Sequence, residues 1–124
     1  MKQNLLNRIV AGKKLFAPGA QKPVYLLNFV TNSCNAACDH CFYWQELNTN
    51  KKLELSPDEH ARVAQPLGPM LQVTFTGGSP ELRNDLPEIV QHYYKYCTPA
   101  NMTFCMLGYS TSRIVEHVEK IMTT

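Results

Sequence analysis

Three closely spaced cysteines are the residues of this chain best suited to metal chemistry. Cys34, Cys38 and Cys41 form a C-x3-C-x2-C run that directly follows an apolar stretch. A cubane iron–sulfur cluster is normally held by four cysteine thiolates. A local set of three would leave the fourth iron without a protein ligand. That iron would then be open to a substrate or a cofactor.

The other two of the five cysteines, Cys97 and Cys105, lie far from this run in the sequence. The N-terminus is too polar for a signal-peptide core, so we expect a cytoplasmic protein, in which disulfides are rare. Free cysteine often behaves as a small buried hydrophobe, and we expect both residues to be buried. A structural zinc site completed by His40, Cys97 or Cys105 is an alternative, although zinc sites usually use paired short spacings.

Length and charge limit the classes of function. The chain has 124 residues, enough for one small domain, and a formal net charge of +2. So small a charge gives no electrostatic support for binding nucleic acid or a membrane surface. The longest apolar run, over 24–27, is far shorter than the roughly 20 residues of a membrane-spanning helix. We therefore expect neither nucleic acid nor membrane as a partner.

Apolar periodicity predicts a short leading helix and three strands. The helix covers 2–11, with Gly12 as its stop. The strands cover 24–30, 71–76 and 102–107. The first strand is apolar almost throughout, which predicts burial on both of its faces.

Capping signals predict a helix after each strand. Ser56 and Asp85 each precede a proline and have a glutamate three residues later, the pattern of a capping box. Ser110 or Ser112 caps the third helix. Strands that alternate with helices indicate an α/β fold with a parallel sheet. Three histidines fall on these helices, where we expect them to be solvated: His60, His92 and His117.

The loops that follow the three strands are expected to share one edge of the sheet. The cysteines follow the first strand, Gly77 and Gly78 follow the second, and residues 108–112 follow the third. In parallel sheets, functional sites gather beyond the carboxyl ends of the strands. The sequence therefore predicts a single site at this edge.

The C-x3-C-x2-C run follows the first predicted strand, and a Gly-Gly-x-Pro run follows the second. With these two motifs the chain resembles the radical S-adenosylmethionine (SAM) superfamily over roughly residues 24–122. The resemblance implies that Cys34, Cys38 and Cys41 hold three irons of a [4Fe–4S] cluster and that SAM chelates the fourth. It implies reductive cleavage of SAM to a 5′-deoxyadenosyl radical that abstracts hydrogen from an unknown substrate. It further implies an external electron donor of the flavodoxin or ferredoxin type.

The same resemblance assigns cofactor-binding positions. His40 occupies the place whose backbone meets the adenine of SAM. Gly77 and Gly78 match the glycines that let the backbone approach the methionyl end, where a side chain would obstruct. The loop that follows the third strand would contribute a hydroxyl or amide to SAM, for which Ser110 and Thr111 are the candidates. No residue is assigned a catalytic role.

The glycine motif departs from the family pattern in one residue. The family's Gly-Gly-Glu reads Gly77-Gly78-Ser79 here, and that glutamate normally accepts a hydrogen bond from the ammonium of SAM. A neutral hydroxyl is about half as strong an acceptor, a loss of roughly 1–2 kcal/mol or about tenfold in affinity. Glu81 is an alternative acceptor, but its position requires a different turn.

The resemblance also implies a larger fold than three strands can build. Family members have a partial TIM-type (βα)6 barrel of about six units, and a full barrel takes ~250 residues. We expect residues 24–124 to form a truncated (βα)3 half of that core, after a helix and irregular lead-in over 1–23. A cluster-binding fragment or remnant without turnover is therefore the alternative function, and a structural zinc domain the third.

Overall fold

The computed structural model describes residues 5–16, 23–49 and 54–123. The leading helix extends through Gly12 to Phe16, so its predicted end is wrong, and residues 2–4 of that prediction lie outside the described ranges. No helix in these ranges is long and apolar enough to cross a membrane. The elements are α1 (Leu5–Phe16), β1 (Tyr25–Thr31), α2 (Pro57–Ala64), β2 (Gln72–Gly77), α3 (Leu86–Cys97), β3 (Asn101–Phe104) and α4 (Thr111–Met122).

The three strands form one parallel sheet in the order β1-β2-β3. Leu27 of β1 lies opposite Thr74 of β2, and Phe75 of β2 lies opposite Phe104 of β3. A helix follows each strand in the chain, so the predicted α/β class with a parallel sheet is confirmed. The carboxyl ends of all three strands therefore point to the same edge.

The core lies between the sheet and the helices, around β2 and α3. Val73 and Phe75 of β2 are fully buried with Ile89 of α3. The Phe75 ring stacks on Phe104 at a centroid distance of 5.2 Å and meets Tyr93 edge-on at 5.6 Å. Burying one such side chain is worth about 1.5–3 kcal/mol, so this layer supplies much of the stability of the fold.

The other face of β1 is exposed. Tyr25, Leu27 and Phe29 are 58%, 51% and 40% exposed, whereas Leu26 and Val30 pack in or against the core. The prediction that β1 is buried on both faces is therefore wrong. The alternation arises because the core, to which α2 and α3 contribute, covers only the face that carries Leu26 and Val30.

Only one of the predicted helix caps forms as expected. Ser56 and Glu59 make a complete capping box at the start of α2. Asp85 begins α3 at the N-cap position, but its carboxylate accepts hydrogen bonds from Arg83 instead of capping the helix. A charged guanidinium is a stronger donor than a backbone N–H, which explains the difference. Ser110 occupies the N-cap of α4 without a side-chain cap bond.

Two of the three helical histidines are buried, so the prediction of solvated side chains is wrong for them. His60 is 1% exposed and His117 is 3% exposed. Nδ1 of His60 lies 3.3 Å from the hydroxyl of Tyr93. Burial lowers the pKa of His60 to about 4, so its ring is neutral at pH 7. A neutral imidazole with one polar partner is tolerated in a core where an imidazolium would not be.

Candidate functional site

The loop that follows β1 and the turn that follows β2 are joined by backbone hydrogen bonds. The amide of Gly78 donates to the carbonyl of Thr31 at 2.8 Å, and the amide of Ser79 donates to the carbonyl of Ser33 at 2.7 Å. These bonds hold the start of the cysteine loop, residues 32–49, against the end of β2. The first two loops predicted to share an edge therefore meet there.

A buried carboxylate joins the third loop to the same edge. Oε1 of Glu81 accepts a hydrogen bond from the amide of Leu107 at 3.2 Å. Leu107 belongs to the loop between β3 and α4, and Glu81 lies in a short 3-10 turn two residues after Ser79. All three loops that follow the strands are therefore connected through the segment 77–82.

The two glycines permit this joint between the loops. Gly77 has φ +124°, a conformation that L side chains rarely adopt, and a Cβ built there would overlap the carbonyl oxygen of Thr31. A Cβ on Gly78 would overlap the carbonyl oxygen of Ser33. The space that a side chain would fill is therefore occupied by the backbone of the cysteine loop. Glycine is required here for backbone contact between loops.

The three clustered cysteines carry free thiols that solvent can reach. Cys38 is exposed, and Cys34 and Cys41 are partly exposed. The amide of Cys41 donates to the carbonyl of Cys38 at 3.1 Å, which closes a tight turn between them. A cavity of about 400 Å³ is lined by Cys38, Cys41 and Trp44, among others. The loop thus presents thiols beside a space of ligand size.

The arrangement of the thiols does not match a single-ion site. Within the described part of the chain, no three His, Cys, Asp or Glu side chains converge closely enough to hold one metal ion. A structural zinc ion needs four ligands that meet at one point. In a cubane each cysteine binds a different iron, so the thiolates need not converge. The donor set therefore fits a cluster better than zinc.

The two remaining cysteines have different environments. Cys97 is buried, as predicted, and its thiol donates to the carbonyl of Ala64 at 3.5 Å. Cys105 is exposed, so the prediction of its burial is wrong. It follows β3, in which alternate residues such as Asn101 and Thr103 are exposed, and continues that alternation.

Two buried polar atoms near the glycines lack partners. Ser79 is fully buried, and its Oγ has no hydrogen-bond partner among the described residues. Glu81 is 1% exposed, and its Oε2 likewise has none in that part of the chain. Burial lowers the pKa of His117 in α4, and the carboxylates of Glu116 and, more weakly, Glu81 oppose that shift. Orphan acceptors of this kind are uncommon and are available to a bound polar group.

The remaining predicted site residues lie in the loops at the same edge. His40 is exposed in the turn between Cys38 and Cys41. Ser110 is partly buried at the start of α4. Thr111 donates from its hydroxyl to the carbonyl of Gly108 at 3.3 Å, within the loop that follows β3.

Arg83 is a residue of this region that sequence reasoning missed. Its buried guanidinium donates to the carbonyl of Val30 at 2.6 Å and to that of Leu55 at 2.8 Å. It also makes two bonds of 2.7 Å to Asp85, which hold the pKa of that carboxyl below its usual range. The only sequence signal was an arginine two residues before the predicted cap of α3.

Glu54 supports the start of the cysteine loop in a similar way. Its Oε1 accepts a hydrogen bond from the hydroxyl of Thr31 at 2.6 Å and from the amide of Asn32 at 3.1 Å. Its second oxygen lies 4.0 Å from Arg83. The end of β1 is thus tied both to the start of α3 and to the segment that precedes α2.

A second cavity, of about 460 Å³, lies between α3 and α4. It is lined by Tyr94, Met102 and Ile121, among others. Met102 belongs to the start of β3, so the cavity lies toward the end of the sheet opposite the cysteines. Its lining is mainly apolar and carries none of the residues predicted to bind a cofactor.

Comparison with known proteins gives one family and several relatives. The family model described as the radical SAM superfamily matches residues 28–122. The PqqA peptide cyclase of Bradyrhizobium diazoefficiens is 39% identical over 72 residues, 56% of this chain and 19% of that protein. The Fe-coproporphyrin III synthase of Methanosarcina barkeri is 35% identical over 74 residues, 58% of this chain and 18% of that protein. The GTP 3′,8-cyclase of Pectobacterium atrosepticum is 36% identical over 75 residues, 57% of this chain and 23% of that protein. The chain thus spans about a fifth of the length of these relatives.

Proposed function

The chain belongs to the radical SAM superfamily, and from this premise we propose that Cys34, Cys38 and Cys41 bind three irons of a [4Fe–4S] cluster. Members of the superfamily use that cluster together with SAM. The observation that carries the proposal is the set of three accessible thiols in one loop at the carboxyl edge of a parallel sheet. The cavity of about 400 Å³ against Cys38 and Cys41 supports it.

When bound, the cluster supplies the electron for reductive cleavage of SAM, from which a 5′-deoxyadenosyl radical is formed for hydrogen abstraction. The residues of this chain hold and orient the two cofactors. Phe42 and Trp44, both exposed, flank the thiols. An external donor of the flavodoxin or ferredoxin type would deliver the electron at this open loop.

We place SAM beside the turn that follows β2. The buried hydroxyl of Ser79, which has no partner among the described residues, would accept a hydrogen bond from the ammonium of SAM. Glu81 uses Oε1 to hold the loop after β3 through Leu107, and its Oε2 would be the alternative acceptor for the same ammonium. The backbone at His40 would meet the adenine, and Ser110 would add a hydroxyl from the third loop.

Turnover requires more protein than these three strand–helix units. We propose that they form the (βα)3 part of a TIM-type (βα)6 barrel, because one face of β1 is exposed and apolar. β3 has a paired neighbour only in β2 within the described residues. A second candidate function is cluster binding without turnover, and the replacement of the family's glutamate by Ser79 favours it. The substrate is left unassigned, because the relatives named above act on different compounds.

Electron paramagnetic resonance of the reduced cluster separates the two candidates. The protein is reconstituted anaerobically with iron and sulfide, reduced, and measured with and without SAM. A spectrum that changes on addition of SAM, with Ser79→Ala requiring more SAM for the same change, supports a SAM site. A spectrum that does not change on addition of SAM contradicts the enzyme proposal for this chain. Cluster binding without turnover is then the function that remains.

A further inference from the structure

The side chain of Asn48 clamps the peptide groups of Cys34. The amide of Cys34 donates to Oδ1 of Asn48 at 3.1 Å, and Nδ2 of Asn48 donates to the carbonyl of Cys34 at 3.0 Å. Both polar groups of one side chain are thus used on a residue 14 positions earlier. A terminal amide that pairs with both backbone groups of one residue restrains its position in two directions.

The backbone of Asn48 is shaped for this contact. Its φ is +59°, a left-handed conformation that is uncommon outside glycine and that asparagine tolerates better than most residues. Its own amide donates to the carbonyl of Asn32 at 2.9 Å. A left-handed residue persists where the surrounding contacts determine its conformation, and here three hydrogen bonds do so.

A second asparagine closes the base of the same loop. Nδ2 of Asn32 donates to the carbonyl of Glu46 at 3.0 Å and to the hydroxyl of Thr49 at 3.3 Å. The cysteine loop is therefore closed by side-chain amides across its base. Cys38 and Cys41 are fixed to each other by a local turn, whereas Cys34 depends on Asn48.

We propose that Asn48 is a positioning residue, which sets the place of the Cys34 thiolate relative to Cys38 and Cys41 before a cluster assembles. The proposal rests on the function proposed above. Binding groups that are held in place in advance lose less conformational freedom when they bind, so the clamp favours cluster retention. Asn48 itself need not touch the cluster for this effect.

Two substitutions separate the side-chain clamp from the backbone conformation. Asn48→Gly keeps a residue that adopts left-handed φ without steric cost, but removes both side-chain bonds. Asn48→Asp retains an acceptor for the amide of Cys34 and loses the donor to its carbonyl. Gln45→Ala is the matched control, because Gln45 is exposed in the same loop.

The first measurement uses cluster-free protein and follows hydrogen exchange at the amide of Cys34. Loss of the hydrogen bond to that amide should make exchange about tenfold faster in Asn48→Gly. Asn48→Asp should exchange at a rate between those of wild type and Asn48→Gly, because one carboxylate oxygen still accepts from this amide while the other repels the carbonyl of Cys34. Gln45→Ala should leave the rate unchanged. Equal exchange in Asn48→Gly and wild type would overturn the proposal.

The second measurement uses reconstituted protein and follows loss of the cluster to an iron chelator. Asn48→Gly should lose the cluster about tenfold faster than wild type, with Asn48→Asp between them. This intermediate rate for Asn48→Asp should appear while the unfolding midpoints stay unchanged. A merely structural role of Asn48 would not produce that result. If wild type takes up iron and Asn48→Gly retains it equally well, only this inference fails. If wild type takes up no iron, the proposed function fails.

Discussion

The β2–α3 core and the cysteine loop are held together by different forces. Phe75 in the core is fully buried, whereas Phe42 in the loop is 85% exposed. The core depends on apolar burial, which is strong and non-directional. The loop depends on directional hydrogen bonds such as those of Asn48. The reactive thiols can therefore stay accessible, because the stability of the fold is supplied elsewhere.

Substitution of one phenylalanine in each region tests this contrast. Phe75→Ala should lower the free energy of unfolding by about 3–5 kcal/mol, because it leaves a cavity beside Tyr93 and Phe104. Phe42→Ala should change it by less than about 0.5 kcal/mol, as exposed substitutions usually do. Urea unfolding of both variants measures the difference. Similar losses would mean that the loop is part of the core.

A second pair of variants tests the joint between the two regions. Gly78→Ala forces a Cβ into the carbonyl of Ser33, so it should cost about 2–3 kcal/mol, the upper part of the range for overpacking. In Gly12→Ala the new Cβ on α1 meets open space, so the free energy of unfolding should rise by about 0.5–1 kcal/mol. Thermal and urea unfolding give both values. A neutral Gly78→Ala would show that the loop can move away from β2 at no cost.

The pH dependence of stability should arise mainly from a buried histidine of the core, His60. Because His60 has a pKa of about 4 in the folded protein and about 6.5 when unfolded, the unfolded state takes up the proton first. Stability is therefore full above pH 6.5 and falls as the pH drops from 6.5 towards 4. The loss attributable to His60 between pH 7.5 and pH 5 should be about 2 kcal/mol.

Matched histidine variants identify the source of this loss. His60→Gln should remove it, and His40→Gln, in the exposed loop, should leave it in place. Urea unfolding at the two pH values provides the comparison. Burial also lowers the pKa of His117, so a smaller loss should remain in His60→Gln, whereas an undiminished loss would assign the pH sensitivity to another group.

Local sequence patterns predicted where helices and strands form better than they predicted which side chains are buried. The order of strands and helices, the Ser56 capping box and the position of the cysteines follow from short-range sequence rules. The exposure of one face of β1 could not be predicted, because the same apolar sequence can form a strand with one face covered or with both faces covered. The burial of His60 depends on Tyr93, which is 33 residues away.

The sequence named residues that could hold a cluster, but it did not reveal the residues that support their loop. The type and spacing of three residues identify them as candidate ligands: Cys34, Cys38 and Cys41. Arg83 and Asn48 carry no such signal, because their partners are mainly backbone carbonyls and amides brought near by folding. Gly78 was predicted to give a ligand access to the backbone, and its contact with the backbone of Ser33 is a further role that the sequence did not reveal.

Iron and zinc analysis after anaerobic reconstitution shows directly whether the three clustered cysteines hold an iron–sulfur cluster. Wild type should hold about four irons per chain, as a [4Fe–4S] cluster requires. Alanine at Cys34, Cys38 or Cys41 should reduce that content sharply, while alanine at the exposed Cys105 should leave it unchanged. About one zinc per chain and no iron would contradict the account, since that is the content of a structural zinc site.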